Sequence, residues 1–166
     1  MALITEDGSI VAGAESYCSV SDADAYHAAR NNAAWASAAT AYKEAALRAA
    51  TAYLDTTYRW NGDRVSMAQA LYWPRVSVWV DGYDVPSDKI PQSLVHACAE
   101  LALRALTAPL FSDAESQYVE EVQVGPIKRK LSAPRRGDQR RFSVADALVR
   151  DLASGGGHGA IRLVRA

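Results

Sequence analysis

From Thr40 to Tyr58 apolar residues recur at three- and four-residue spacing: Tyr42, Ala46, Leu47, Ala50, Tyr53 and Leu54 mark one face of a helix. A second such face runs through Leu94, Cys98, Leu101, Ala102, Ala105 and Leu106, beginning just after Pro91, a residue that suits the first turn of a helix. Ser21 opens S-D-A-D, which predicts an N-cap with acids in the first turn and a helix through Tyr26 to about Arg30, stopped near Asn31-Asn32. Trp35 falls on a short segment beyond it. Ser66 and Gln69 match a capping box and predict a short helix through Leu71, closed by Pro74.

Elsewhere the period changes to two. Val76, Val78 and Val80 alternate as one short strand would, up to a turn at Asp81-Gly82. Val119–Val124 and Ile127–Leu131 predict a half-exposed hairpin joined at Gly125-Pro126. Residues 1–20 read as extended. Ser143 to Asp146 predicts a last helix through Leu152, reached by an aperiodic linker from Ala133 to Arg141. Gly155-Gly156-Gly157 reads as a flexible joint, and Ile161–Val164 as a strand able to join a neighbour's sheet edge. The expected architecture is mainly α: a helical bundle over 1–117, a projecting β-hairpin over 118–132, and over 133–166 a C-terminal arm ending in a short helix and a flexible tail.

The 49% hydrophobic content is that of a globular chain, but much of it is alanine, which buries little area per residue and leaves room for neighbouring subunits to complete the core. Charge adds more. The net charge of −1 hides a segregation: residues 1–127 carry −8, while Lys128–Arg141 carries +6 from Lys128, Arg129, Lys130, Arg135, Arg136, Arg140 and Arg141 against Asp138 alone. Solubility favours interspersed signs, so a split of this kind points to a partner surface. Three readings of the basic run stay open: a solvated charge run, a phosphate-binding segment, or an arm that docks into an acidic protein groove through Phe142, Val144, Leu148 and Leu152.

Catalytic chemistry finds little footing. His27, His96 and His158 lie near no acids or cysteines at ligand spacing, so core-edge or surface roles are expected and no metal. Asp22 and Asp24 suit a helix start, and Glu120 and Glu121 alternate across a strand and cannot flank one bond. No nucleophile elbow or phosphate-binding loop is present, and Gly155–Gly159 lacks the lysine and hydroxyl of the latter. The expectation is a non-enzyme without cofactor. Cys18 and Cys98 are expected as buried free thiols. No apolar run reaches membrane length and the first residues do not resemble a secretory signal, which implies the cytosol unless an assembly carries the chain out. Trp35, Trp60, Trp73 and Trp79 do not interleave with the basic run, and core anchoring is their expected role.

The segments Ser16–His27, Ala33–Trp35, Lys43–Asp55, Gln69–Arg75, Val85–Pro91, Ala99–Leu106 and Val124–Lys128 together resemble, in order and spacing, a family of small tailed-phage proteins often labelled DnaT-like single-stranded-DNA-binding. By position and shape that family is similar to head–tail connector adaptors. The resemblance implies a structural virion protein: a ring, typically of twelve copies, docked on the portal, receiving a neck or tail-completion protein, and enclosing exiting double-stranded DNA. It places the chain at the head–tail junction of the virion, after assembly in the host cytoplasm. The seven cations would then meet portal or DNA, and deletion of 134–166 would leave a folded domain. The alternative it implies is a replication protein that binds single-stranded DNA.

Overall fold

The computed structural model describes residues 2–111, 122–124, 127–129 and 142–154. The chain is mainly α. In order it forms α1 (Val20–Ala28), α2 (Ala33–Ala36), α3 (Thr40–Thr57), β1 (Asp63–Arg64), β2 (Arg75–Val76), β3 (Trp79–Val80), β4 (Tyr83–Asp84), α4 (Gln92–Ala105), β5 (Val122–Val124), β6 (Ile127–Arg129) and α5 (Ser143–Val149). Two compact units emerge. One has residues 2–110 and 142–154 as its described part, and the other spans 111–141.

The first unit is built on the α3–α4 pair. Leu47, Ala50 and Leu54 of α3 and Leu94, Ala97, Leu101 and Ala102 of α4 are buried in one core, where small alanines let the helices approach closely. The predicted face of α3 is rotated at its start. Tyr42 stands in water, and Lys43 is buried instead, its stem covered and its ammonium 2.8 Å from Asp24 Oδ1. Asp24 also accepts from Trp35 Nε1 at 2.7 Å, so α1, α2 and α3 meet at one shared carboxylate. Removing that partner would leave an uncompensated buried cation, which is strongly destabilising.

Helix α1 starts two residues earlier than its sequence suggests. Ser19 is the cap: its Oγ accepts from Asp22 N at 3.1 Å and donates to Asp22 Oδ2 at 2.6 Å. Before it, residues 4–16 are not simply extended. The buried Glu6 carboxylate accepts from the backbone N–H groups of Gly8, Ile10 and Val11 and ties the segment into a loop. Gly8 must be glycine there, because its φ of 109° and the adjacent Asp88 carbonyl leave no room for a Cβ.

Between α3 and α4 lie two consecutive hairpins. The expected helix over Ser66–Leu71 does not form. Its capping residues act locally: Ser66 N donates to Gln69 Oε1 at 2.9 Å, and the buried Gln69 amide donates to the carbonyls of Leu71 and Pro74. The single strand expected through Val76–Val80 is broken at Ser77, whose φ of 58° leaves the extended region. Its first part, β2, pairs with β1, setting Arg64 opposite Arg75 and Asp63 opposite Val76. Its second part, β3, pairs with β4, setting Val80 opposite Tyr83 and Trp79 opposite Asp84. The predicted turn at Asp81-Gly82 closes that hairpin with φ of 53° and 86°, the two positive values a type I′ turn requires.

Helix α5 corrects the expectation of a detachable arm. It packs on α4, and Ala145, Val149, Leu152 and Ala153 are buried in the core of the first unit. Phe142 meets the Tyr53 ring edge-on at 5.3 Å, and the Tyr58 hydroxyl donates to Asp146. The segment behind the helix is sewn down by backbone bonds from Asn61 N to the Leu152 carbonyl and from Ser154 N to the Arg59 carbonyl. The helix itself ends at Val149, three residues before its predicted end.

In the second unit β5 and β6 form the predicted hairpin, shorter than expected, with Val122 opposite Arg129, Gln123 opposite Lys128 and Val124 opposite Ile127. Gly125, Pro126, the linker 133–141 and the glycine-rich tail lie outside the described residues, as does the strand expected at 161–164.

Candidate nucleic-acid interface

Most groups that could suggest chemistry are occupied by the fold. His27 is buried; its Nε2 lies 3.1 Å from the Ala99 carbonyl, its Nδ1 2.9 Å from Asn32 Nδ2, and its ring 4.7 Å from that of Trp35. Burial holds its pKa below the usual imidazole value. His96 sits beside the Tyr26 ring and within 3.0 Å of Gln92 Nε2. Cys18 and Cys98 are free and buried, and burial pushes both thiols well above their ordinary range. Among the described residues no group of three His, Cys, Asp or Glu side chains is placed to hold a metal. Glu120, Glu121 and His158 lie outside them.

Among the described carboxyls Asp55 is strongly perturbed. Burial pushes it up to about 6, against the lowering effect of its donors. Tyr17 Oη donates to Asp55 Oδ1 at 2.5 Å while accepting from Tyr72 N and Trp73 N, and Tyr72 N also reaches Asp55 Oδ2 at 3.2 Å. All these partners are backbone amides or a tyrosine, so the cluster braces the Tyr72–Trp73 corner. The folded chain keeps this proton up to about pH 6, whereas an unfolded chain releases it near 3.8. Asp55 therefore lowers stability as pH rises through that window, by on the order of 3 kcal/mol in all. Asp55→Asn should gain stability relative to wild type between pH 4 and 7 by about that amount. Urea unfolding at several pH values checks it; a difference that stays flat with pH would show that burial does not hold the proton.

That corner carries outward chemistry. The Arg64 guanidinium lies 4.0 Å from the centre of the Tyr72 ring, a cation–π stack between two exposed side chains. Met67, wholly exposed, and Val65 stand beside them in sequence on a loop already pinned by Gln69. The next hairpin exposes two more aromatics, Trp79 and Tyr83. Here the core reading of the tryptophans divides. Trp35, Trp60 and Trp73 are buried, while Trp79 is 64% exposed. Its position was legible in Val78-Trp79-Val80: strand alternation turns Trp79 away from the two valines, and Val78 is fully buried.

Of the seven predicted contact cations, Lys128 and Arg129 lie on β6, and Lys130, Arg135, Arg136, Arg140 and Arg141 lie outside the described residues. The four residues expected to dock on a partner are distributed otherwise. Leu152 is buried in its own chain, Phe142 and Leu148 are half-buried against the core, and Val144 is exposed.

These features define a small, mainly α-helical domain whose buried polar groups serve the fold and which leaves the Arg64–Tyr72 stack, Trp79 and Tyr83 exposed. The chain belongs to the family described as DnaT-like ssDNA binding proteins, whose family model matches residues 1–166. No curated protein and no solved structure matches it. The family finding overturns the connector reading. The DnaT-like resemblance stands, but the virion setting, the twelve-membered ring, the portal and the neck or tail-completion partner have no support. That reading also leaned on a docking helix free of the domain, and hydrophobic burial has taken this helix into the core.

Proposed function

We propose that this protein binds single-stranded DNA with little sequence preference and without catalysis, the Lys128–Arg141 segment supplying most of the cations that meet the backbone. The observation that carries this reading is the match of the whole chain to the DnaT-like family. The charge segregation supports it, because cations gathered on one segment release counterions from a polyanion together. The five arginines and two lysines of this segment, with no aromatic among them, suit contacts to backbone phosphate, which carry no sequence information.

Titrating the full chain into a fluorescein-labelled thirty-nucleotide dT strand between 50 and 300 mM NaCl tests the proposal. Binding should weaken steeply, and seven engaged cations set a limiting log–log slope of about −5. A duplex of equal length should bind more weakly. Absence of binding at 50 mM salt, or tighter binding to duplex, would remove the single-strand reading.

A further inference from the structure

Trp79 is the one tryptophan of four that the fold leaves in water, and the hairpin around it is rigidly specified. Val80 and Tyr83 flank the Asp81-Gly82 turn, and the Val85 N–H donates to the Val78 carbonyl at 2.8 Å. Trp79 and Asp84 lie between those positions and form a pair whose side chains share one face. On the opposite face Val78 is buried and Val80 packs against the core, while Tyr83, the cross-strand partner of Val80, is exposed. An indole in this setting is not left over from packing. Alternation aims it outward, and a turn with two positive φ values holds it there.

The surroundings say what kind of ligand suits it. Asp84 is its cross-strand partner, and Ser77, at the strand break, and Asp81, in the turn, lie two residues away on either side of it; all three are exposed. A protein partner would need a contiguous apolar patch, and across the hairpin this indole is paired with a carboxylate, Asp84, not with an apolar side chain. A flat heteroaromatic ring needs only the indole face. The Asp84 carboxylate beside it repels phosphate, so a strand would contact this hairpin through a base and not through its backbone.

We infer that Trp79 is a base-stacking residue, taking one unpaired base on the open face of its indole. The inference rests on the single-strand reading above and adds to it a contact independent of the cations. Its contribution is insensitive to salt, unlike that of the basic segment, because stacking releases no counterions.

The experiment uses the full chain with a thirty-nucleotide dT strand and an abasic phosphodiester strand of equal length. On binding dT, the wild-type tryptophan emission should fall and its quenching by iodide should largely disappear, since Trp79 is the exposed fluorophore. Trp79→Ala should bind dT about tenfold or more weakly with an unchanged salt slope, and Trp79→Phe should retain part of the affinity. Both variants should bind the abasic strand as wild type does. Equal dT affinity of Trp79→Ala and wild type, with iodide quenching unaltered by DNA, would overturn the inference and leave the single-strand reading intact. An equal loss on the abasic strand, or Trp79-dependent self-association in sedimentation, would overturn it also. Failure of the wild type to bind either strand would instead remove the reading beneath it.

Discussion

Replacing Arg135, Arg136, Arg140 and Arg141 together by Gln should weaken binding to a dT strand by roughly a hundredfold at 0.15 M salt. The figure follows from counterion release: four contacts on single-stranded DNA account for about 0.7 counterion each, so the log–log salt slope should also become shallower by about 3. The substitution keeps four polar side chains and removes four charges, changing the +6 segment to +2. Arg104, which pairs with Glu100 at 2.7 Å, and Arg75, whose guanidinium is spent on the carbonyls of Asn61, Gly62 and Tyr72, are committed to the fold and cannot substitute for them. Fluorescence anisotropy across a salt series reads both quantities, and the urea midpoint serves as control. An unchanged slope with an intact fold would show that the segment does not meet the backbone.

The second large effect concerns the end of the chain. Removing residues 142–166 should abolish cooperative folding of the first unit or lower its unfolding midpoint by tens of degrees. Val149 and Leu152 are buried at 1% and 3% exposure, and such side chains contribute about 1.5–3 kcal/mol each. Their loss, about 5 kcal/mol with the small residues Ala145 and Ala153, is comparable to the whole net stability of a small domain. The truncation would also open the sites covered by Phe142 on Tyr53 and by Asp146 on Tyr58. The milder Leu152→Ala should cost about 3 kcal/mol, chiefly through the cavity it leaves. Urea unfolding followed by near-ultraviolet circular dichroism measures both. A truncated chain with the wild-type midpoint would show that α5 adds nothing to the core.

This second prediction reverses the expectation that a folded domain survives deletion of 134–166, and the reason is instructive. Residues 143–149 form a seven-residue helix behind an aperiodic basic run, a pattern shared by docking arms and by helices that return to their own core. Local sequence does not separate the two, because the deciding partners, Tyr53 and Tyr58, lie far upstream. The connector reading drew on the same ambiguity. The family match along the entire chain overturned that reading in favour of the DnaT-like family. Core anchoring held for three tryptophans and failed for Trp79, which is exposed and stands apart in sequence from the cations.

Features set by local pattern are legible in the sequence. Apolar period placed α3 and α4, turn chemistry placed Asp81-Gly82, the cysteines were expected as buried thiols, and the charge split needed only counting. Each depends on residues within a few positions of one another, or on composition alone. The remaining features depend on contacts between distant segments. Lys43 displaced Tyr42 from the core face because Asp24 and Trp35 wait there, and the Ser66–Gln69 capping pair closed a loop because its amide found the Leu71 and Pro74 carbonyls. Asp55 acquired its raised pKa from burial beneath a corner held by Tyr17, and α5 became core by meeting α4. Periodicity and turn preference act along the chain, whereas burial and its electrostatic consequences belong to surfaces that exist only once the chain has folded.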